Sequence, residues 1–104
     1  MPVDIAALRD IALGRVLSFL HADGDFVKVD SSYMSQNNQS RRYYVTTQNS
    51  SVTHELVITG SKWVDKTGRG QSGGGAIDLV MHLRGTHFSG AVSLLQRLQA
   101  QRDT

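Results

Sequence analysis

The sequence contains no cysteine among its 104 residues. Without thiols, disulfide-stapled folds and thiolate metal sites are excluded. No apolar run approaches the roughly 20 residues that a membrane span needs. Residues 1–4 also lack the basic start and apolar core of a signal peptide. We therefore expect a cytoplasmic protein.

The composition is that of a globular protein, with 39% hydrophobic and 19% charged residues. A chain of this length fits one domain, which we place at residues 1–104. Such a domain can fold alone, but it has no second core in which to house a deep active site.

Basic and aromatic residues are concentrated in the middle of the chain. Between residues 41 and 69 the only acids are Glu55 and Asp65. Cations with interleaved rings are typical of surfaces that bind nucleic acid. Adjacent strand residues face opposite ways, so only one of Tyr43 and Tyr44 can face the core, and each ring has about even odds of being structural. The candidate DNA-binding residues are Arg41, Arg42, Tyr43, Tyr44, Lys62, Trp63, Lys66 and Arg69.

Hydrophobic periodicity predicts an α+β fold. An antiparallel sheet of four or five strands is expected, with one N-terminal helix and two C-terminal helices. The predicted helices are 4–21, with Asp4 as N-cap, then 76–83, ended by Gly85, and a last helix from residue 86 or 89 that frays after Leu98. The predicted strands are 26–30, 41–47, 52–59 and 62–65. The buried residues expected at the C-terminal end are Ile77, Leu79, Val80, Leu83, Phe88, Val92 and Leu95.

Half of the chain's ten glycines lie between residues 68 and 75. A P-loop is not expected, because Gly74 and Gly75 stand where its lysine and hydroxyl residue are required. Glycine there allows a sharp turn with positive φ before the helix. Free N–H groups of Gly73, Gly74 and Gly75 would also suit one backbone phosphate.

Nothing in the pattern indicates catalysis. His82 and His87 are five residues apart with Gly85 between them, which does not suit a zinc site. Asp78, near the third position of its helix, is interpreted as a capping residue. We expect no enzyme activity, no cofactor and no metal, and a domain that folds without metal.

Two motifs together resemble the zinc-binding domain at the N-terminus of bacterial DNA primases. They are GGGAIDLVMHL at residues 73–83 and FSGAVSLL at residues 88–95. The resemblance is greatest to zinc-less versions ahead of Toprim domains in plasmid and mobile-element proteins. It implies the fold and a nucleic-acid context. It does not imply the metal, because the positions around Thr67 and Gly70, where the family has a cysteine pair before the glycine turn, hold no cysteine.

These observations predict a non-catalytic module that binds single-stranded DNA in plasmid or mobile-element replication or transfer. A nucleotide-binding or catalytic remnant is disfavoured, because the required lysine and metal ligands are missing. The main alternative is a protein-interaction module that docks on a primase, relaxase or helicase without contacting DNA. That module would show an exposed apolar patch and salt-independent partner binding.

Overall fold

The computed structural model describes residues 4–33, 39–48, 50–68 and 70–102. Helices and strands in these ranges follow the order α, α, β, β, β, β, β, α, α. Their bounds are α1 (Ile5–Arg9), α2 (Leu13–Ala22), β1 (Phe26–Asp30), β2 (Ser40–Thr46), β3 (Thr53–Thr59), β4 (Lys62–Asp65), β5 (Ser72–Gly74), α3 (Ala76–Arg84) and α4 (Phe88–Arg102).

The five described strands form one antiparallel sheet in the order β1-β2-β3-β4-β5. Each strand pairs with the next one along the chain, and β3 and β4 are joined by the two-residue hairpin connection Gly60-Ser61. The predicted α+β class and the antiparallel sheet are therefore confirmed. The fifth strand is β5, which the glycine-rich sequence Ser-Gly-Gly forms beside β4.

One face of the sheet packs against the helices and supplies the core. Val45, Leu56 and Trp63, on three successive strands, are buried and belong to the same apolar cluster as the helices. The register places them on one side, because Tyr43 pairs with Leu56 and Ile58 pairs with Trp63. The alternate residues face the other way, and within the described strands none of them is buried.

The N-terminal segment is two helices and not the single helix predicted at residues 4–21. Asp4 caps α1 as expected, since its Oδ1 accepts the Ala7 N–H at 3.0 Å. The chain then breaks before α2, and Leu8 and Leu13 are both buried. In one continuous helix these two side chains would point about 140° apart. The break turns both of them toward the core.

The C-terminal helices follow the prediction with two corrections. Gly85 ends α3 in the left-handed conformation (φ 61°), which suits glycine. The predicted stripe is buried except for Phe88, which is 47% exposed because it is the first residue of α4. The helix also extends to Arg102, beyond the predicted fraying point. Across the described residues, no helix is long and apolar enough to cross a membrane.

Candidate functional site

The uncovered side of the sheet, here called the open face, consists of alternate strand residues. Phe26 on β1 and Tyr44 on β2 are its two rings, and Phe26 is 55% exposed. They are diagonal neighbours, because Phe26 pairs with Thr46 and Lys28 pairs with Tyr44. The members of the open face on β1 to β4 are Phe26, Lys28, Asp30, Ser40, Arg42, Tyr44, Thr46, Thr53, Glu55, Val57, Thr59, Lys62 and Val64.

The cations of the open face differ in their availability. Lys28 and Lys62 are exposed, and neither forms an ion pair within the described ranges. Arg42 is bound through its Nε to Asp30 Oδ2 at 2.9 Å, and its Nη1 lies 3.9 Å from Glu55 Oε2. The two lysines are therefore the better candidates for phosphate contacts.

Arg42 also organises the rings around it. Its guanidinium lies 5.0 Å from the centre of the Tyr33 ring and 5.7 Å from that of Tyr44. Both distances fall within the range of cation–π attraction. Held by Asp30, Arg42 keeps Tyr44 in place on the open face.

The Asp30 carboxylate is held in its charged form by several donors. Ser32 donates its hydroxyl at 2.6 Å and its backbone N–H at 3.0 Å to Oδ1, and Arg42 binds the other oxygen. The Ser32 hydroxyl is the largest contribution and Arg42 the next, and together they lower the pKa of Asp30 to about 2.

We expect Ser32→Ala to raise the pKa of Asp30 toward its ordinary value of about 3.9, because the variant removes the strongest donor. The stability linked to this group is present above about pH 3.9 and is lost as the pH falls toward 2. Titration of the Asp30 carboxyl carbon by NMR measures the pKa directly. Ser31→Ala is the matched control, and an ordinary pKa in the wild-type protein would contradict the assignment.

The remaining cations predicted to bind DNA differ in their placement. Arg41 is exposed but lies opposite Ile58, on the side of the sheet that faces the helices. Lys66 is exposed just after β4, and its backbone N–H donates to the carbonyl of Glu55, an open-face residue, at 2.8 Å, so it lies beside the open face. Arg69 lies outside the described residues.

Two predicted stacking residues belong to the covered face. Trp63 is only 3% exposed and packs in the core. Tyr43 is half-buried against that core, on the same side of the sheet as Leu56. Alternation along the strands places both rings on the side that faces the helices. Of the three predicted stacking residues, Tyr44 is the one that lies on the open face.

The glycine turn does not offer the phosphate site that the sequence suggested. Gly74 N–H already donates to Asp78 Oδ2 at 3.0 Å, and Gly75 N–H donates to the Ser61 carbonyl at 2.7 Å. Asp78 thus caps the helix start, as predicted. A Cβ at Gly73 would lie 1.9 Å from Asp78 Oδ2, so that glycine serves close packing.

A second arrangement, which sequence reasoning missed, lies on the covered face. Asp65, only 2% exposed, accepts from His54 Nδ1 at 2.7 Å and from His82 Nε2 at 2.6 Å, both at Oδ2. Its Oδ1 accepts the Thr67 N–H at 2.9 Å. Burial raises the pKa of Asp65, but the hydrogen bonds from His82, His54 and Thr67 outweigh it, and the pKa is lowered.

Part of this cluster has a sequence signal. His54 and Asp65 lie on adjacent strands at diagonal positions, since Leu56 pairs with Asp65. The hairpin spacing therefore predicts that they face the same side. His82 lies on α3, and only the packing of that helix on the sheet brings it to Asp65. The spacing of His82 to His87, the nearest histidine in the sequence, therefore gives no sign of this contact.

The cysteine-based zinc site of primases does not fit this chain. Thr67 Oγ1 accepts the Glu55 N–H at 2.9 Å, and Gly70 offers no side-chain ligand. No family model, curated protein or solved structure matches the chain. The relation to primase domains therefore stays a prediction that rests on the two sequence motifs.

Proposed function

We propose that this protein is a non-catalytic module that binds single-stranded DNA through its open face. The observation that carries the proposal is a sheet face that the described helices leave uncovered, on which Tyr44 lies between Lys28 and Lys62 and Phe26 lies two residues from Lys28 on β1. The primase-like motifs support a role in plasmid or mobile-element replication or transfer.

The chemistry of the open face suits unpaired bases. A flat aromatic ring can stack on any base, and each stacked base contributes about 1–3 kcal/mol. In a duplex the base faces are already stacked on one another, so this contribution requires a single strand. Because stacking does not read the base edges, weak sequence preference is expected.

The lysines are positioned to hold the backbone on either side of Tyr44, and Phe26 lies beyond Lys28 on the edge strand. Lys28 on β1 and Lys62 on β4 are three strand spacings apart, about 14 Å, and are also offset by four residues along the strands, so they lie about 20 Å apart. Each lysine that neutralises a phosphate releases counterions, which makes affinity depend on salt. Arg42 contributes by holding Tyr44, since Asp30 already balances its charge.

We expect Lys62→Ala to flatten the dependence of log affinity on log salt by about 0.7, the value for one single-strand phosphate contact. Fluorescence anisotropy with a labelled single-stranded oligonucleotide, across a salt series, measures the slope. Arg41→Ala is a matched control, because it removes one exposed cation from the side of the sheet opposite to the open face. Tighter binding to the matching duplex would contradict the proposal.

Removing the ring should act differently from removing charge. Tyr44→Ala is expected to weaken binding about 5- to 150-fold and to leave the salt slope unchanged, since stacking carries no counterion term. Tyr44→Phe keeps the ring and should keep the affinity. A folded wild-type protein that shows no detectable binding to single-stranded DNA at low salt would overturn the DNA proposal.

If the protein does not bind single-stranded DNA, one feature favours the protein-docking alternative. β1 is an edge strand of the described sheet, and Phe26 and Val29 are exposed on its two faces. An exposed strand edge can pair with a strand of another protein. Docking of a primase, relaxase or helicase there would be insensitive to salt, whereas DNA binding would not.

A further inference from the structure

We infer that His54, Asp65 and His82 form a binding site for a divalent transition-metal ion of the Zn²⁺ class. The three side chains come from β3, β4 and α3, so the fold and not a local motif assembles them. The site lies on the covered side of the sheet and shares no residue with the open face. It therefore stands independently of the proposed DNA binding.

The distances suit a single ion. One ligand atom from each residue lies within 4.8 Å of the others. Bonds of about 2.0–2.2 Å in a tetrahedral site place ligand atoms about 3.4 Å apart. Both ring nitrogens now lie within 2.7 Å of Asp65 Oδ2, so a modest rotation of the carboxylate opens the required space.

The surroundings orient the ligands. Thr67 N–H holds Asp65 Oδ1, which leaves Oδ2 directed at the two imidazoles. Trp63 stacks on His82, with ring centres 4.6 Å apart. Such outer partners fix the orientation of ligands in metal sites. His82 also lines an open cavity of about 530 Å³. The side chains of His54 and His82 are 17% and 15% exposed, so solvent reaches two of the three ligands.

The ligand types select the metal. Two imidazoles and one carboxylate suit Zn²⁺, Co²⁺, Ni²⁺ or Cu²⁺, whereas Mg²⁺ and Ca²⁺ prefer oxygen ligands alone. Three protein ligands leave a fourth position for water or an external ligand. In metal-free protein the same groups hydrogen-bond one another, so folding does not require the ion.

The test uses chelator-treated full-length protein and Trp63, the only tryptophan of the chain, as reporter. Calorimetry with Zn²⁺ should give one site per chain, and Co²⁺ should quench Trp63 fluorescence until excess Zn²⁺ displaces it. His54→Gln and His82→Gln should each weaken Zn²⁺ binding at least about tenfold, the smallest loss found even for outer partners of metal sites. His87→Gln removes an exposed histidine outside the cluster and should change nothing.

Circular dichroism checks that each variant folds. The two histidines lie on different elements, so one variant can be tested even if the other does not fold. The inference is overturned if wild-type protein shows no saturable Zn²⁺ binding. It is also overturned if folded His54→Gln binds Zn²⁺ as the wild type does. Measuring DNA binding in chelator keeps this result separate from the proposed function.

Discussion

Replacing Asp65 by alanine in metal-free protein is expected to lower the free energy of unfolding by about 3 kcal/mol at neutral pH. Asp65 is the common acceptor for His54, His82 and the Thr67 N–H. A buried donor left without a partner costs about 1–3 kcal/mol. The two imidazoles are partly exposed, so water can replace some of the lost hydrogen bonds. The total cost therefore stays below that of three fully buried donors without a partner.

Chemical denaturation of the wild type, Asp65→Ala and Asp65→Asn measures this loss. Asparagine keeps an acceptor for Thr67 but removes the charge, so its loss should be smaller. Asp10→Ala, at an exposed carboxylate, should stay within about 0.5 kcal/mol of the wild type. The lowered pKa of Asp65 means that its stabilisation is present above about pH 3.9 and is lost below it. An Asp65→Ala protein as stable as the wild type at pH 7 would contradict the role of Asp65 as acceptor.

Regular patterns made most of the sheet predictable from sequence. Alternating and β-branched residues indicate β1 to β4, and β4 has the predicted bounds. β5 has no such pattern, because Ser-Gly-Gly has low strand propensity and pairs only where β4 offers an edge. The break before α2 was hidden for a similar reason. Residues 4–21 fit helical periodicity, and only the packing of Leu13 requires the turn.

The sequence predicted which residues of the candidate DNA-binding surface are charged or aromatic, but not which face of the sheet each of them lies on. Arg41 and Arg42 are equivalent in the sequence, as are Tyr43 and Tyr44. Alternation separates each pair onto opposite faces, but it does not say which member faces the helices. The register with β3 decides it, because Tyr43 lies beside Leu56 in the core.

The same alternation divides β4 between two kinds of chemistry. Lys62 and Val64 lie on the open face, whereas Trp63 and Asp65 face the helices. Val64 on the open face is thus the sequence neighbour of Asp65 in the histidine–aspartate cluster. The two proposed sites are separated by the thickness of the sheet, and each can be changed without replacing a residue of the other.

Leu95→Ala should cost about 2–5 kcal/mol of unfolding free energy, the range for deleting a fully buried leucine. Leu95 is 0% exposed in α4, so truncation leaves a cavity among its core neighbours. Phe88→Ala should cost about 1 kcal/mol or less, because its ring is already half in solvent. A fully buried phenylalanine would instead cost about 3–5 kcal/mol, so the two variants contrast a buried and an exposed residue of one helix. Urea denaturation of both variants tests it, and a larger loss for Phe88→Ala than for Leu95→Ala would mean that α4 packs with another face.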